Sequence, residues 1–221
     1  CTPTPIKSNV SGPVTITASV PNDNGANSGY GSGSFNNGSN GGTGFQPWVV
    51  AQTGGTGGSF SGSSDIGVAW GVWSGGGTSY AVRPFATPLS IGNTVNFSFD
   101  NGGVNSGNKV GIRLRNATGQ TLTEFRFIGG ATEYSIADGT GTTDTGFAFT
   151  NTGMSISIAY TAANTYSIAI TKSGVVTLLN ARSFSTAAGG QIPAEIEFFN
   201  QNAGNGSSFN VFMNNLSIGY P

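Results

Sequence analysis

Glu195-Ile196-Glu197 is the only place in the chain where two acidic residues stand two positions apart. Residues two apart on a strand share a face, so both carboxylates would project together. Retaining glycoside hydrolysis uses two carboxyl groups about 5–5.5 Å apart, one of raised pKa. The plainer reading makes Glu195 and Glu197 the solvated face of a strand whose other face, Ile196 and Phe198, is core. A second constellation is aromatic. Trp73, Tyr80 and Tyr134 could stack on sugar rings, with Arg83, Asp100 and Asn101 supplying hydrogen bonds. Trp70 and Trp73 are three apart, so on a regular strand one is core and the other exposed. Trp48 and Trp70 are the candidates for the core. A third set is rich in oxygen acceptors. Asp100, Asp138 and Asp144, with the Asn-rich run 200–205, could serve calcium, which takes 6–8 oxygen ligands. The chain has no dense run of alternating aspartates, and Asn-Gly and Asp-Gly are also ordinary turn formers. No other cofactor is implied.

What the chain lacks narrows the chemistry further. Its 221 residues include no histidine, 8 Lys+Arg, 9 Asp+Glu and 37 glycines. Most catalysis at neutral pH needs titratable groups, metal ligands or activated nucleophiles. Here they are scarce, so binding or building is expected rather than catalysis. A formal net charge of −1 provides no field to recruit nucleic acid. It also weakens repulsion between copies, which favours self-association. The single cysteine is Cys1, so no intrachain disulfide can form. A cysteine in first position fits the lipid-modified first residue of a mature bacterial lipoprotein, or an incidental residue. Lipid on Cys1 would be the only expected link to a membrane, because no apolar run approaches the ~18–20 residues of a spanning helix.

The elements that must position these residues are strands. Val95, Phe97 and Phe99 alternate with polar residues, as do Ile112 and Leu114, then Phe125 and Phe127. Met154, Ile156, Ile158 and Tyr160 continue the pattern. Tyr166, Ile168 and Ile170 follow a short Ala/Asn turn, which predicts a hairpin. Ile196 and Phe198, then Phe209, Val211 and Met213, complete it. No stretch keeps helical periodicity without a glycine interruption. Many short strands with Gly/Asn/Ser turns predict an all-β antiparallel sandwich. The N-terminal part differs. Val14, Ile16, Ala18 and Val20 alternate between Pro13 and Pro21, which predicts an extra N-terminal strand over about 13–21. The expected division is an extension, 1–29, and a sandwich, 30–221. Residues 22–44 have the composition of a flexible linker, anchored only by Tyr30 and Phe35. Something must hold such a segment if it is ordered, and a neighbouring copy would serve.

From Tyr30 onward the chain resembles the concanavalin A-like lectin/glucanase (LamG-like) jelly-roll group, in a Gly/Asn-rich version found in secreted bacterial surface proteins. The residues that carry the resemblance are the run from Asn37 to Trp48, Ala69-Trp70-Gly71-Val72 and Phe99-Asp100-Asn101-Gly102. Tyr166 to Ile170, Phe198 to Gly204 and Asn214 to Ile218 add to it. The resemblance implies a jelly-roll sandwich and an extracellular or cell-surface location. Glycosidases of this group carry Glu-x-Asp-x-Glu or Glu-x-Asp-x-x-Glu on a strand, and this chain departs from both with only two acids. Sandwiches of this kind host lectins, glycanases and structural modules alike.

Three functions follow. The first is a non-catalytic extracellular subunit that assembles with other copies of itself into a filament or surface layer, by donation of the strand carrying Val14, Ile16, Ala18 and Val20. The second is a carbohydrate-binding module for a polysaccharide, using Trp73, Tyr80 and Tyr134. The third is a glycoside hydrolase using Glu195 and Glu197.

Overall fold

A computed structural model of the protein describes residues 20–31, 33 and 35–221. Cys1, Val14, Ile16 and Ala18 lie outside the described residues, and with them all of the expected strand over 13–21 except Val20 and Pro21. Strands account for the regular structure: β1 (Asn22–Asp23), β2 (Val49–Thr53), β3 (Gly57–Ser64), β4 (Gly67–Ser74), β5 (Thr78–Pro84), β6 (Thr94–Asn101), β7 (Lys109–Arg115), β8 (Thr121–Ile128), β9 (Glu133–Asp138), β10 (Gly141–Ala148), β11 (Met154–Ala162), β12 (Thr165–Lys172), β13 (Val175–Ser183), β14 (Glu195–Gln201) and β15 (Val211–Gly219). Short 3-10 turns cover Ser28–Tyr30 and Ser207–Phe209. Phe209 therefore precedes the last strand instead of opening it.

The strands form two antiparallel sheets. One has eight strands, in the order β13-β12-β11-β6-β15-β4-β3 with β1 paired to β15. The other has seven, in the order β10-β9-β8-β7-β14-β5-β2. The chain crosses repeatedly from one sheet to the other, giving the jelly-roll sandwich expected. Alternation sets the faces. Val95, Phe97 and Phe99 of β6 meet Val110, Ile112 and Leu114 of β7 in one continuous core. The β11–β12 hairpin pairs Ile156 with Ile170 and Ile158 with Ile168. Its two-residue turn places Asn164 at φ 59, a left-handed conformation that asparagine tolerates better than most residues.

The Gly/Asn-rich segment is held by its own chain. Tyr30, Phe35 and Trp48 are buried among Trp70 of one sheet and Phe198 of the other. Each fully buried Phe adds roughly 1.5–3 kcal/mol over leaving it exposed. A buried polar chain ties the same region. Trp48 Nε1 donates to Tyr30 Oη at 3.0 Å, Tyr30 Oη donates to Asp23, and Arg83 pairs with Asp23 at 2.6 Å. Asp23 sits in β1, against Leu216 of β15. Residues 21–23 thus run beside the last strand, where Ile218 N donates to Pro21 O at 3.1 Å.

Candidate functional site

The outward face of the eight-stranded sheet carries an aromatic surface built on glycine. In β4, Trp70 and Val72 point into the core, so Gly71 and Trp73 point out. Opposite them on β3 stand Phe60, paired with Gly71, and Gly58, paired with Trp73. A Cβ on Gly71 would stand 2.6 Å from Phe60 Cζ, and one on Gly58 would stand 3.0 Å from Trp73 Nε1. Both rings therefore lie across backbone that has no side chain to lift them. Phe212 of β15 meets Phe60 edge-to-face at 5.5 Å. Trp73 remains 37% exposed. It borders a depression of about 350 Å³ with Phe60, Gly206, Ser207 and Asn210. Trp73 Nε1, the Ser207 hydroxyl and the Asn210 amide have no hydrogen-bond partner among the described residues. Beyond this surface Asn96 and Ser98 of β6, Ser155 and Ser157 of β11, and Thr171 of β12 line an uncharged groove with Asn215.

The outward face of the seven-stranded sheet is the opposite in chemistry. Lys109, Arg113 and Arg115 share one side of β7, Glu124 and Arg126 lie on β8, and Glu195 and Glu197 lie on β14. Glu124 accepts from Arg113 at 2.6 Å and from Lys109 and Arg126 at 2.8 Å each. Glu197 is clasped at one oxygen by Arg113 and at the other by Arg115, both at 2.5 Å. Glu195 meets Arg115 at 3.1 Å. Phe199, also outward on β14 yet fully buried, lies beneath this ladder, with the Arg113 guanidinium 3.9 Å from its ring centre. Burial pushes the Glu124 carboxyl up, but the Arg113 charge and hydrogen bonds from Lys109, Arg126 and Arg113 outweigh it and bring it to about 2. Glu195 is raised by burial, against the pull of Arg115 and with a further push from Glu197. The two acids of the hydrolase reading do share a face, but not a solvated one. Both oxygens of Glu197 are engaged, so it cannot attack a sugar or take a proton from water without dismantling the ladder.

The other residues singled out in the sequence are not brought together. Tyr80 is outward on β5 and partly exposed, on the sheet opposite Trp73. Tyr134 is fully buried, stacked on Phe125 at 5.0 Å, and donates to Asn101 Oδ1 at 2.7 Å. Its ring is closed to a sugar, because Tyr134 shares the inward side of β9 with Ile136. Asn101 is inward for the same reason, sharing the side of Phe97 and Phe99. Arg83 is fully buried, pairs with Asp23 and bonds Asn40 Oδ1 at 2.6 Å. Asp100 is buried under the β3–β4 turn, where it accepts from Asp65 N at 3.2 Å. The aromatic platform of Trp73, Tyr80 and Tyr134 is therefore not one surface.

The three aspartates expected for calcium are not brought together. Asp138 is committed to Arg182 at 2.6 Å and to Tyr166 at 2.6 Å, Asp100 faces Asp65, and Asp144 lies exposed on β10. Among the described residues no three His, Cys, Asp or Glu side chains cluster at metal-ligand spacing. Sequence reasoning missed Phe60, Phe212, Ser207 and Asn210. The available signal was Gly-Ser-Phe-Ser-Gly over 58–62, in which glycines flank an aromatic, close to Gly71-Val72-Trp73.

No family model and no curated protein matches the sequence. Solved structures do match in shape. A sialidase shares the fold with a TM-score of 0.56 at 9% identity, over 78% of this chain and 17% of that one. A carbohydrate esterase from the Shiga toxin-encoding bacteriophage phi24B aligns with a TM-score of 0.48 at 14% identity, over 78% of this chain and 89% of that one. A tetrameric galectin from the ball sponge Cinachyrella sp. aligns with a TM-score of 0.45 at 12% identity, over 64% of this chain and 99% of that one. The chain thus spans about one sixth of the sialidase's length, and at these identities the likeness is one of fold: a jelly-roll β-sandwich.

Proposed function

We propose that this chain is a non-catalytic carbohydrate-binding domain whose contact surface is the Trp73 depression. One observation carries the reading. Trp73 presents an indole lying over Gly58, beside Phe60, with unpartnered hydrogen-bonding groups at its rim. A sugar ring has apolar C–H faces and polar edges. An aromatic face meets the first, while Asn210, Ser207 and Trp73 Nε1 meet the second. The residues lining the depression are uncharged, which suits a neutral glycan. An extracellular or cell-surface setting accompanies this reading, and among the described residues no helix is long and apolar enough to cross a membrane. The self-assembling subunit expected from the sequence depends on Val14, Ile16 and Ala18, outside the described residues. The carbohydrate reading replaces it as the main one.

The test is retention on immobilised neutral polysaccharides, followed by titration of any that retain the chain. Trp73→Ala is expected to weaken binding about tenfold or more, the equivalent of ~1.4 kcal/mol, with thermal stability nearly unchanged because the ring is peripheral. Unchanged retention in Trp73→Ala would remove this surface from consideration. Release of reducing sugar, lost in Glu197→Gln, would restore the hydrolase reading.

A further inference from the structure

The charged ladder uses most of its donors on itself, but not all of them. Arg113 spends Nε on Glu124 and Nη1 on Glu197. Arg115 spends Nη1 on Glu197, and its Nε donates to Gly119 O at 2.9 Å. The Nη2 groups of both arginines have no partner among the described residues. Both guanidinium groups border a cleft of about 350 Å³ over β14, together with Glu197, Tyr80, Gln201 and Thr121.

We infer that this cleft is a second ligand site, on the sheet opposite Trp73, which takes a saccharide bearing a carboxylate. The charged residues lining the cleft are Arg113, Arg115 and Glu197, a formal +1 in a chain of −1. A carboxylate accepts charge-assisted hydrogen bonds at both oxygens, and guanidinium donors suit it best. The donors are already fixed. Glu197 braces both guanidinium groups, and Phe199 supports Arg113 from below, so little side-chain freedom is lost on binding. Gly119 keeps Arg115 accessible. It has φ +77, and a Cβ there would lie 2.5 Å from Arg115 Nη2. The remaining lining suits the sugar: Tyr80 supplies an aromatic wall, and Gln201 and Thr121 offer an amide and a hydroxyl to ring oxygens. A neutral glycan would leave the two Nη2 groups without the charged partner this geometry favours.

The site does not depend on the Trp73 reading, and the experiment separates the two. The intact chain is titrated calorimetrically with galacturonate, glucuronate and sialylated oligosaccharides and with their carboxyl-reduced counterparts. At least one acidic oligosaccharide is expected to bind, and carboxyl reduction should weaken it tenfold or more. Raising salt from about 0.05 to about 0.5 M should also weaken it, since the site is partly exposed. Tyr80→Ala and Gln201→Ala lie outside the ion pairs and are expected to fold normally while losing severalfold in affinity. Trp73→Ala should leave this binding unchanged. Failure of all the acidic probes, equal affinity for the reduced forms, or indifference to both Tyr80→Ala and Gln201→Ala overturns the proposal.

Discussion

The outward side of the seven-stranded sheet joins Glu124, Arg113, Glu197 and Arg115 into one ladder across β8, β7 and β14. The outward side of the eight-stranded sheet presents Trp73, Phe60 and Phe212 across β4, β3 and β15, with serine and asparagine beyond. Both faces must satisfy one side of a sheet in water, and they do so by different physics. On the first, charged groups are drawn together until nearly every one has a partner, which rigidifies the face and leaves two guanidinium nitrogens over. On the second, glycines let rings lie flat, and the polar groups bordering Trp73 stay unpaired. A pairing network mainly confers order, whereas an unpaired rim beside an exposed ring is free to meet a ligand. Substitutions should therefore divide: stability effects on the ladder, binding effects on the rings.

The largest expected effect is at the hub of the ladder. The Glu124 carboxyl falls from an ordinary 4.5 to about 2 on folding. A group whose pKa is depressed in the native state contributes stability that is present above its unfolded pKa. That stability is lost as pH falls through the folded value. The contribution is about 3 kcal/mol near neutrality, from ~1.4 kcal/mol per unit of pKa. Glu124→Gln should thus cost about that much in chemical denaturation at pH 7 and flatten the loss of stability between pH 4.5 and 2. Asp138, whose burial is outweighed by hydrogen bonds from Arg182, Thr140 and Tyr166, acts with the same sign. Retention on a neutral glycan through Trp73 should be untouched at pH 7. If Glu124→Gln abolished that retention without unfolding the chain, the two faces would not be independent.

A smaller effect, and one of binding, is expected at Gly58. Alanine there brings a methyl within 3.0 Å of Trp73 Nε1, which lifts the indole from the sheet. Alanine also suits a strand slightly better than glycine does, by roughly 0.5–1 kcal/mol. Gly58→Ala should therefore leave the melting temperature level or slightly raised and weaken glycan retention severalfold. Full retention would mean that the ring's posture over β3 does not matter to the ligand.

Much of this division can be read in the sequence, though not all of it. The parity of Val95, Phe97 and Phe99 places Asn101 inward, and Ile136 does the same for Tyr134, so neither was available to a sugar. Trp70 and Trp73 separate as their spacing requires. Lys109, Arg113 and Arg115 share a parity, as do Glu195 and Glu197. What local spacing does not contain is that β7 pairs with β14, bringing Arg115 to Glu197 across 82 residues. For the same reason residues 22–44 read as a linker. The ion pair that anchors them joins Asp23 to Arg83, 60 residues away, and the pocket for Tyr30 and Phe35 is made by strands later in the chain. Composition describes what a segment lacks, whereas its partners are set by topology.

The smallest expected effect tests whether the ladder is uniform. Glu195 stands at its end, and burial raises its carboxyl above the ordinary 4.5, with Arg115 only partly opposing this and Glu197 adding to it. The sign is opposite to that of Glu124. A group with a raised native pKa makes folding less favourable as pH climbs from its unfolded value through its folded one. The penalty is therefore larger at pH 7 than near pH 4. Glu195→Gln removes the charge and keeps the shape, so it should leave stability unchanged or slightly higher, within about 0.5 kcal/mol of the parent, whereas Glu124→Gln lowers it. Chemical denaturation of both variants at pH 7 and again near pH 4 makes the comparison. A loss in Glu195→Gln equal to that in Glu124→Gln would mean that the Arg115 pair outweighs desolvation and that the ladder acts as one cooperative unit. Opposite signs would place the stabilising part of the ladder at Glu124 and not at its Glu195 end.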